Sequence, residues 1–280
     1  MRLLDYEEQE AVYDALFLGL IQDSTFVFES MQRRDIATLS GDLEAFYGAV
    51  AANYIQGLID AELNIIEEHS EHGPLGALDM GGASMQIGFV PSHSTSFTTN
   101  EEECDASTTP TTNRLDEDNF FSQSYLAYGV DQFRERLWDS WIEEHQREKT
   151  CAVNIIYDPC SFRGYERMWK GHVLHGTGDA SECTRKVKNI MDFDNINLHD
   201  ESSPSSFKVG GVVHPQVSGK FLGMALFFFT LDCLRHLSTH EGLKKSWPNP
   251  SILELTESLE SLCSRHWQGV RKYFSNQACL

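Results

Sequence analysis

The sequence contains no apolar run long enough to cross a bilayer. The longest, residues 221–231, is bounded by Lys220 and Asp232 and falls well short of the roughly 20 residues a spanning helix needs. Positive charge is scarce: 22 Lys and Arg stand against 42 Asp and Glu, a formal net charge of -20. Such a field repels polyanions and leaves no footprint for nucleic acid, so a phosphate-bearing substrate would need local donors or a metal ion. The seven cysteines (Cys104, Cys151, Cys160, Cys183, Cys233, Cys263 and Cys279) lack the tight paired spacing of a zinc site. No Asn-x-Ser/Thr acceptor occurs, because Asn249 is followed by Pro250. Met1 is followed at once by Arg2-Leu3-Leu4-Asp5 and an acidic amphipathic segment, so no targeting signal is read here.

What is present is enough to fold. A chain of 280 residues that is 41% hydrophobic can bury a substantial core. Ala11, Val12, Ala15, Leu16 and Leu20 share one face of a helix expected over residues 5–21, and a short strand is expected at 36–39. Leu43, Phe46, Tyr47, Val50, Tyr54 and Leu58 predict a helix over 42–68. Residues 76–90 read as a hairpin about a glycine turn, and 92–113 as a polar loop without periodicity. Helices are expected at 125–144, 182–191, 219–237 (buried) and 251–262, the last opened by Ser251 with Glu254 three residues on. The glycine-rich tract 171–178 and residues 192–206 read as irregular, and 207–213 as a strand. The pattern is mixed α/β.

The segment richest in chemistry is Leu78-Asp79-Met80-Gly81-Gly82-Ala83-Ser84-Met85-Gln86. Successive small residues let backbone N–H groups gather around an anion, which makes Gly81, Gly82, Ala83 and Ser84 a candidate phosphate loop. Alternation along the second strand puts Ser84 and Gln86 on one face and Met85, Ile87 and Phe89 on the other, expected to face the core. Asp79 is suited to hold a divalent cation directly or through its waters. The same residues also suit an ordinary Gly-Gly hairpin with an incidental acid. Glu44 likewise has two readings: a water-activating carboxylate, or a favourable acid in the first turn of a helix. The spacings Cys160–Cys183 and Cys263–Cys279 suit disulfide loops worth about 3 kcal/mol each in an oxidising compartment, and equally suit reduced thiols.

Asp79-Met80-Gly81-Gly82-Ala83-Ser84-Met85-Gln86 resembles the Asp-Leu-Gly-Gly-Ala-Ser-Thr-Gln box of the apyrases, the nucleoside triphosphate diphosphohydrolases. Upstream, residues 40–54, from Ser40-Gly41-Asp42-Leu43-Glu44 through Asn53-Tyr54, resemble that family's Gly-x-x-Glu-Gly-x-Tyr-x-Trp-x-x-x-Asn-Tyr box in register. Tyr128-Gly129-Val130-Asp131-Gln132, Asp158-Pro159-Cys160, Gly176-Thr177-Gly178-Asp179 with Cys183, and residues 216–234 follow in the family's order. The likeness therefore covers nearly the whole chain.

The resemblance implies an RNase H-like lobe of the actin, sugar-kinase and apyrase superfamily: a mixed sheet flanked by helices over residues 36–280, with a loop at about 92–118. Residues 1–35 would be a remnant of an N-terminal lobe that is otherwise missing. It implies hydrolysis of the terminal phosphate of nucleoside di- and triphosphates with Mg²⁺ or Ca²⁺. Glu44 would act as base and Gln86 would hold the water. Ser84 and the amides of Gly81, Gly82 and Ala83 would contact phosphate, Asp79 would anchor the metal through water, and Phe228 would stack on the nucleobase. It also implies Cys160–Cys183 and Cys263–Cys279 disulfides and a parent protein in the Golgi or endomembrane lumen or outside the cell. Met1-Arg2-Leu3-Leu4 resembles the end of the Ala-Thr-Ala-Gly-Met-Arg-Leu-Leu box. The rest of that box and the first phosphate loop are not in this sequence, so weak or no turnover is expected of these residues alone. A non-catalytic nucleotide-binding or regulatory fragment and another phosphohydrolase on the same scaffold are the alternatives. Ala45 and Ala49 stand where the family has Gly and Trp, and Ala127 where many cell-surface members have a half-cystine.

Overall fold

In the computed structural model, residues 2–28, 30–66, 73–91, 114–147, 154–191, 194–196, 206–217 and 219–275 are described. The first helix, α1 (Tyr6–Gln22), begins where Asp5 accepts the Glu8 N–H and Glu8 reaches back to the Asp5 N–H, a closed capping box. Its expected apolar face is not covered: Val12 and Leu16 are exposed, and only Tyr13 is buried. The helix is held instead by Tyr13, which bonds Thr38 and lies under the Arg33 guanidinium. Residues 36–39, expected as a strand, have no strand to pair with; Arg33–Asp35 forms a 3₁₀ turn and the chain runs on as coil.

The second helix, α2 (Gly41–Ile55), is capped by Ser40, whose hydroxyl accepts the Leu43 N–H. It stops at Ile55 rather than near residue 68. Gly57 turns the chain with φ 68°, and the Asp60 carboxylate then takes the Glu62 and Asn64 N–H groups that a continuing helix would use.

The hairpin appears as expected, with β1 (Gly76–Met80) and β2 (Ser84–Phe89) antiparallel. The loop read at 92–113 lies outside the described residues. Its expected extension to 118 is docked, since Leu115 is fully buried and its N–H bonds Leu63 O at 2.9 Å. A third strand, β3 (Phe121–Leu126), occupies the start of the expected helix 125–144. The helix itself, α3 (Val130–Arg147), begins only after Ala127 turns the chain with φ 66°.

Next come β4 (Ile155–Asp158), β5 (Glu166–Trp169) and β6 (His172–Gly176), the last inside the tract expected to be irregular. The helix expected near 182–191 is α4 (Ala180–Ile190), capped by Asp179. Then follow β7 (Asp194–Ile196), β8 (Ser206–Val209) and β9 (Val212–His214). The single strand expected at 207–213 is therefore a hairpin. It turns on Gly210 and Gly211, both with positive φ (54° and 84°), the conformation a two-residue hairpin turn demands. The expected helix 219–237 is likewise divided into β10 (Phe221–Gly223) and α5 (Leu226–Leu237), of which only Leu234 and Leu237 are buried. Then come α6 (Glu241–Ser246), α7 (Ile252–Cys263), whose Ser251–Glu254 capping box forms as expected, and α8 (Trp267–Ser275).

The central sheet has the order β10-β1-β2-β3, with β10 parallel to β1 and the other pairs antiparallel. The other two are three-stranded: β4-β6-β5 and β7-β8-β9. The architecture is thus mixed α/β with helices flanking the sheets. α2 covers one face of the central sheet through Phe46, Ala49, Ala77, Leu115 and Phe120. α3 packs Leu137, Trp138, Trp141 and Ile142 on Ile156 and Leu174 of the second sheet, while Leu234, Leu237, Leu243, Leu262 and Val270 join α5 to α8. Among the described residues no helix is long and apolar enough to cross a membrane.

Cys160 and Cys183 are joined by a disulfide. The expected Cys263–Cys279 bond is not formed: Cys263 carries a free thiol, half-buried on α7, while Cys233 on α5 is disulfide-bonded.

Asn53, fully buried on α2, ties that helix to the strand it covers. Its amide donates to Ala49 O (2.9 Å) and Leu75 O (2.8 Å), and its carbonyl accepts the Leu75 N–H (2.8 Å). Asn53→Ala leaves buried backbone groups unpaired and should lower stability by about 2 kcal/mol or more. Urea unfolding with an unchanged slope is the check.

Candidate active site

The register of the central sheet builds the site. Asp79 of β1 lies opposite Gln86 of β2, and Gln86 lies opposite Ser124 of β3, so the three side chains form one row on one face. That face lies under the first turn of α2. Two glycines permit the approach. A Cβ on Gly41 would come within 2.2 Å of the Ser124 side chain and 2.4 Å of Arg2, and one on Gly88 would lie 3.0 Å from Ala45 O. The expectation that Ser84 and Gln86 share a face holds. That face, however, is the more deeply covered one near the turn: Gln86 is 2% exposed and Ser84 7%, while Met85 and Ile87 are only half-buried.

The Gln86 amide nitrogen donates to Glu44 Oε2 (2.8 Å) and Ser84 Oγ (2.8 Å), and lies 3.1 Å from Ser124 Oγ. The half-buried Arg2 guanidinium reaches the same oxygens: Glu44 Oε2 at 2.5 Å, Ser84 Oγ at 3.0 Å and Ser124 Oγ at 3.4 Å. Glu44, Ser84 and Gln86 are thus brought into one network, joined by two residues the sequence reading passed over. Arg2 had a signal, since it belongs to the Met-Arg-Leu-Leu likeness. Ser124 had none, because it precedes a segment read as helix. Neither Glu44 Oε1 nor Gln86 Oε1 takes a hydrogen bond from the described residues, so both oxygens are left as open acceptors.

The turn 81–83 is anchored from behind by the start of α3. Gly81 O accepts from Val130 N (2.9 Å), Gly82 O from Asp131 N (3.0 Å) and Ala83 O from Ala127 N (2.8 Å). In a planar trans peptide the next N–H points opposite the carbonyl, so the amides of Gly82, Ala83 and Ser84 are turned away from α3. Among the described residues the Gly82 and Ala83 amides meet no acceptor, whereas Gly81 N closes the turn onto Ser84 O at 3.0 Å. Neither Gly81 nor Gly82 has a positive φ. What Gly82 supplies is room, since a Cβ there would lie 2.8 Å from the Asp131 carboxylate.

Asp79 Oδ1 is buried without a hydrogen-bond partner, and its pKa is raised, first by burial and then by the neighbouring Glu44. Among the described residues no basic side chain pairs with it, and no group of three or more His, Cys, Asp or Glu forms a metal cage. One orphaned carboxylate fits a hydrated divalent cation held through a water, the mode Mg²⁺ favours beside phosphates. Phe228, on α5, is 48% exposed. Its ring neighbours are Phe229 (5.6 Å) and Trp247 (6.1 Å), and among the described residues no ring contact links it to the network.

Fold and site together define an α/β protein with a carboxylate, an amide and a hydroxyl converging beside a small-residue turn at one end of its central sheet. The chain belongs to the GDA1/CD39 (nucleoside phosphatase) family, whose profile matches residues 1–279. It is 25% identical over 296 residues to ectonucleoside triphosphate diphosphohydrolase 1 of Mus musculus, an alignment covering 97% of this chain and 52% of that protein. It is 28% identical to ectonucleoside triphosphate diphosphohydrolase 2 of Homo sapiens (95% and 52%) and 26% identical to the Golgi apyrase of Saccharomyces cerevisiae (96% and 42%). The chain thus spans about half the length of these relatives. A solved nucleoside triphosphate hydrolase of Neospora caninum shares the fold with a TM-score of 0.56 at 14% identity, over 95% of this chain and 57% of that one.

Folding shifts the Asp79 carboxyl toward its neutral form, because burial and then the Glu44 charge raise its pKa. Its stabilising contribution is present below the unfolded pKa of 3.8 and is lost as pH rises through the raised folded value. Asp79→Asn should therefore melt higher than the unsubstituted chain at about pH 7 in chelator, with the gap closing toward about pH 4. Thermal melts at both pH values read it.

Proposed function

We propose that this chain carries the water-activating part of a site that hydrolyses the terminal phosphate of nucleoside di- and triphosphates. The observation behind the reading is the single network joining Glu44, Gln86 and Ser84 beside the turn 81–83. A water between Glu44 Oε1 and Gln86 Oε1 would give one proton to each acceptor, which turns its lone pair outward. As that oxygen attacks the terminal phosphorus in line, Glu44 takes the proton. The bond to the bridging oxygen breaks, releasing orthophosphate and a nucleotide shorter by one phosphate. Ser84 Oγ already accepts from Gln86 and Arg2, which uses both its lone pairs, so its O–H is left to donate to a phosphate oxygen alongside the Gly82 and Ala83 amides. A divalent cation, Mg²⁺ or Ca²⁺, held through water at Asp79 would offset phosphate charge when bound.

Arg2 keeps Glu44 Oε2 occupied, so that only Oε1 is free to act as base. Residues 36–280 form, on this reading, the C-terminal lobe of the family fold, with 1–35 belonging to the other lobe. Phe228 is kept as the candidate base-stacking ring. The Cys160–Cys183 disulfide and the Golgi and ectonucleotidase names among the relatives favour an endomembrane-lumenal or extracellular parent.

The test is phosphate release from ATP, ADP, GDP and UDP with Mg²⁺ or Ca²⁺ at high protein concentration. Glu44→Gln should lower the rate by about 100-fold or more, and Gln86→Ala by about tenfold. Undiminished release by Glu44→Gln would remove Glu44 from the role.

A further inference from the structure

Resting on that reading of Gln86, we propose that Ser124 is a positioning residue. It holds the Gln86 amide in the orientation that aims its carbonyl oxygen at the water beside Glu44.

The Gln86 side chain has two donor protons on Nε2, and three acceptors lie within 3.1 Å of that atom: Glu44 Oε2, Ser84 Oγ and Ser124 Oγ. Turned over, the amide would set its oxygen 2.8 Å from a carboxylate oxygen and withdraw its N–H groups from both serines. Of the two hydroxyls, Ser84 is on this reading also a phosphate donor, whereas the Ser124 hydroxyl meets only Gln86 and Arg2 among the described residues. Ser124 stands directly across the ladder from Gln86, and its backbone N–H donates to Asp42 Oδ1 at 3.0 Å, which ties β3 to the first turn of α2.

The Ser124 hydroxyl also lies within reach of Arg2 Nη1 at 3.4 Å, so its two lone pairs face the two donors that flank Glu44 Oε2. It thereby couples the side chain that holds the water to the one that holds the base. Gly41 confines it further, because any Cβ at that position would occupy the place of the Ser124 side chain. Ser124 touches neither water nor phosphate in this arrangement and acts through Gln86.

Ser124→Ala should lower kcat by about tenfold with KM for nucleotide within about twofold, because it loosens a group aligned for the water and not for the phosphates. The melting temperature should stay close to that of the unsubstituted chain. A second readout needs no turnover: the Gln86 side-chain amide pair, identified in ¹⁵N spectra by its loss in Gln86→Glu, should shift and lose exchange protection in Ser124→Ala. Unchanged Gln86 amide signals in Ser124→Ala would overturn the inference, as would an unchanged kcat in that variant while Glu44→Gln is inactive. Undiminished turnover by Glu44→Gln would instead overturn the hydrolytic reading on which the inference rests.

Discussion

The site depends on how closely the first turn of α2 lies on the central sheet. Its Glu44 can reach Gln86 only because Gly41 and Gly88 present no Cβ at the crossing, and Ala45 and Ala49, buried at 4% and 0% exposure, keep the helix surface flat. Ala45 and Ala49 stand where the resembled box carries Gly and Trp. Ala49 is buried in one cluster with Phe46, Ile59 and Ala77, which leaves no room there for a Trp side chain. With Ala at both positions, Glu44 lies 2.8 Å from the Gln86 amide nitrogen.

Once helix and sheet are that close, the distribution of charge follows. Three oxygens, Glu44 Oε2, Ser84 Oγ and Ser124 Oγ, share two donor groups, the Gln86 amide and the Arg2 guanidinium. Both protons of the Gln86 amide are taken up within the network. The free valences on the outer side are then acceptors on Glu44 and Gln86 and a donor on Ser84, the polarity a water and a phosphate oxygen would meet. Arg2 pairs with Glu44 and not with Asp79, whose pKa is raised by burial and then by the Glu44 charge. Asp79 Oδ1 is thus a buried carboxyl oxygen in this row that has no hydrogen-bond partner among the described residues.

Much of this was legible. Strand alternation placed Ser84 with Gln86, the Ser40-Gly41-Asp42-Leu43-Glu44 segment placed Glu44 in a helical first turn, and Asn53 lay in the same box. The capping residues at Ser251 and Glu254 marked α7 to within a residue. What was hidden has physical causes. Tyr125 and Leu126 carry on the apolar spacing of α3, so the strand that ends there, and Ser124 with it, was absorbed into a helix. The strands β4, β5, β6, β8 and β9 hold three to five residues each, too few for alternation to stand out. The stop of α2 is set by a glycine with positive φ and an Asp turn, local chemistry that an apolar periodicity running to Leu58 overrides on paper. Cys263 shows the limit of spacing, since its free thiol and the bonded Cys233 are set by the packing of α5 and α7.

The other face of β3 shows why Ser124 is held as firmly as it is. Successive residues of a strand point to opposite faces, so while Ser124 meets α2, Tyr125 meets the hairpin β8–β9, where its hydroxyl pairs with His214 Nε2 and the two rings stack at 9°. Both are buried. Burial raises the phenol pKa and lowers that of the imidazole, so each stays neutral near pH 7 and the two share a hydrogen bond between neutral groups. A hydrogen bond between neutral groups in a dry setting is not screened by salt, unlike a surface ion pair. β3 is therefore fixed on one side by Asp42 and on the other by His214. The position of Ser124 is set by the fold from both faces and does not depend on anything bound at the site.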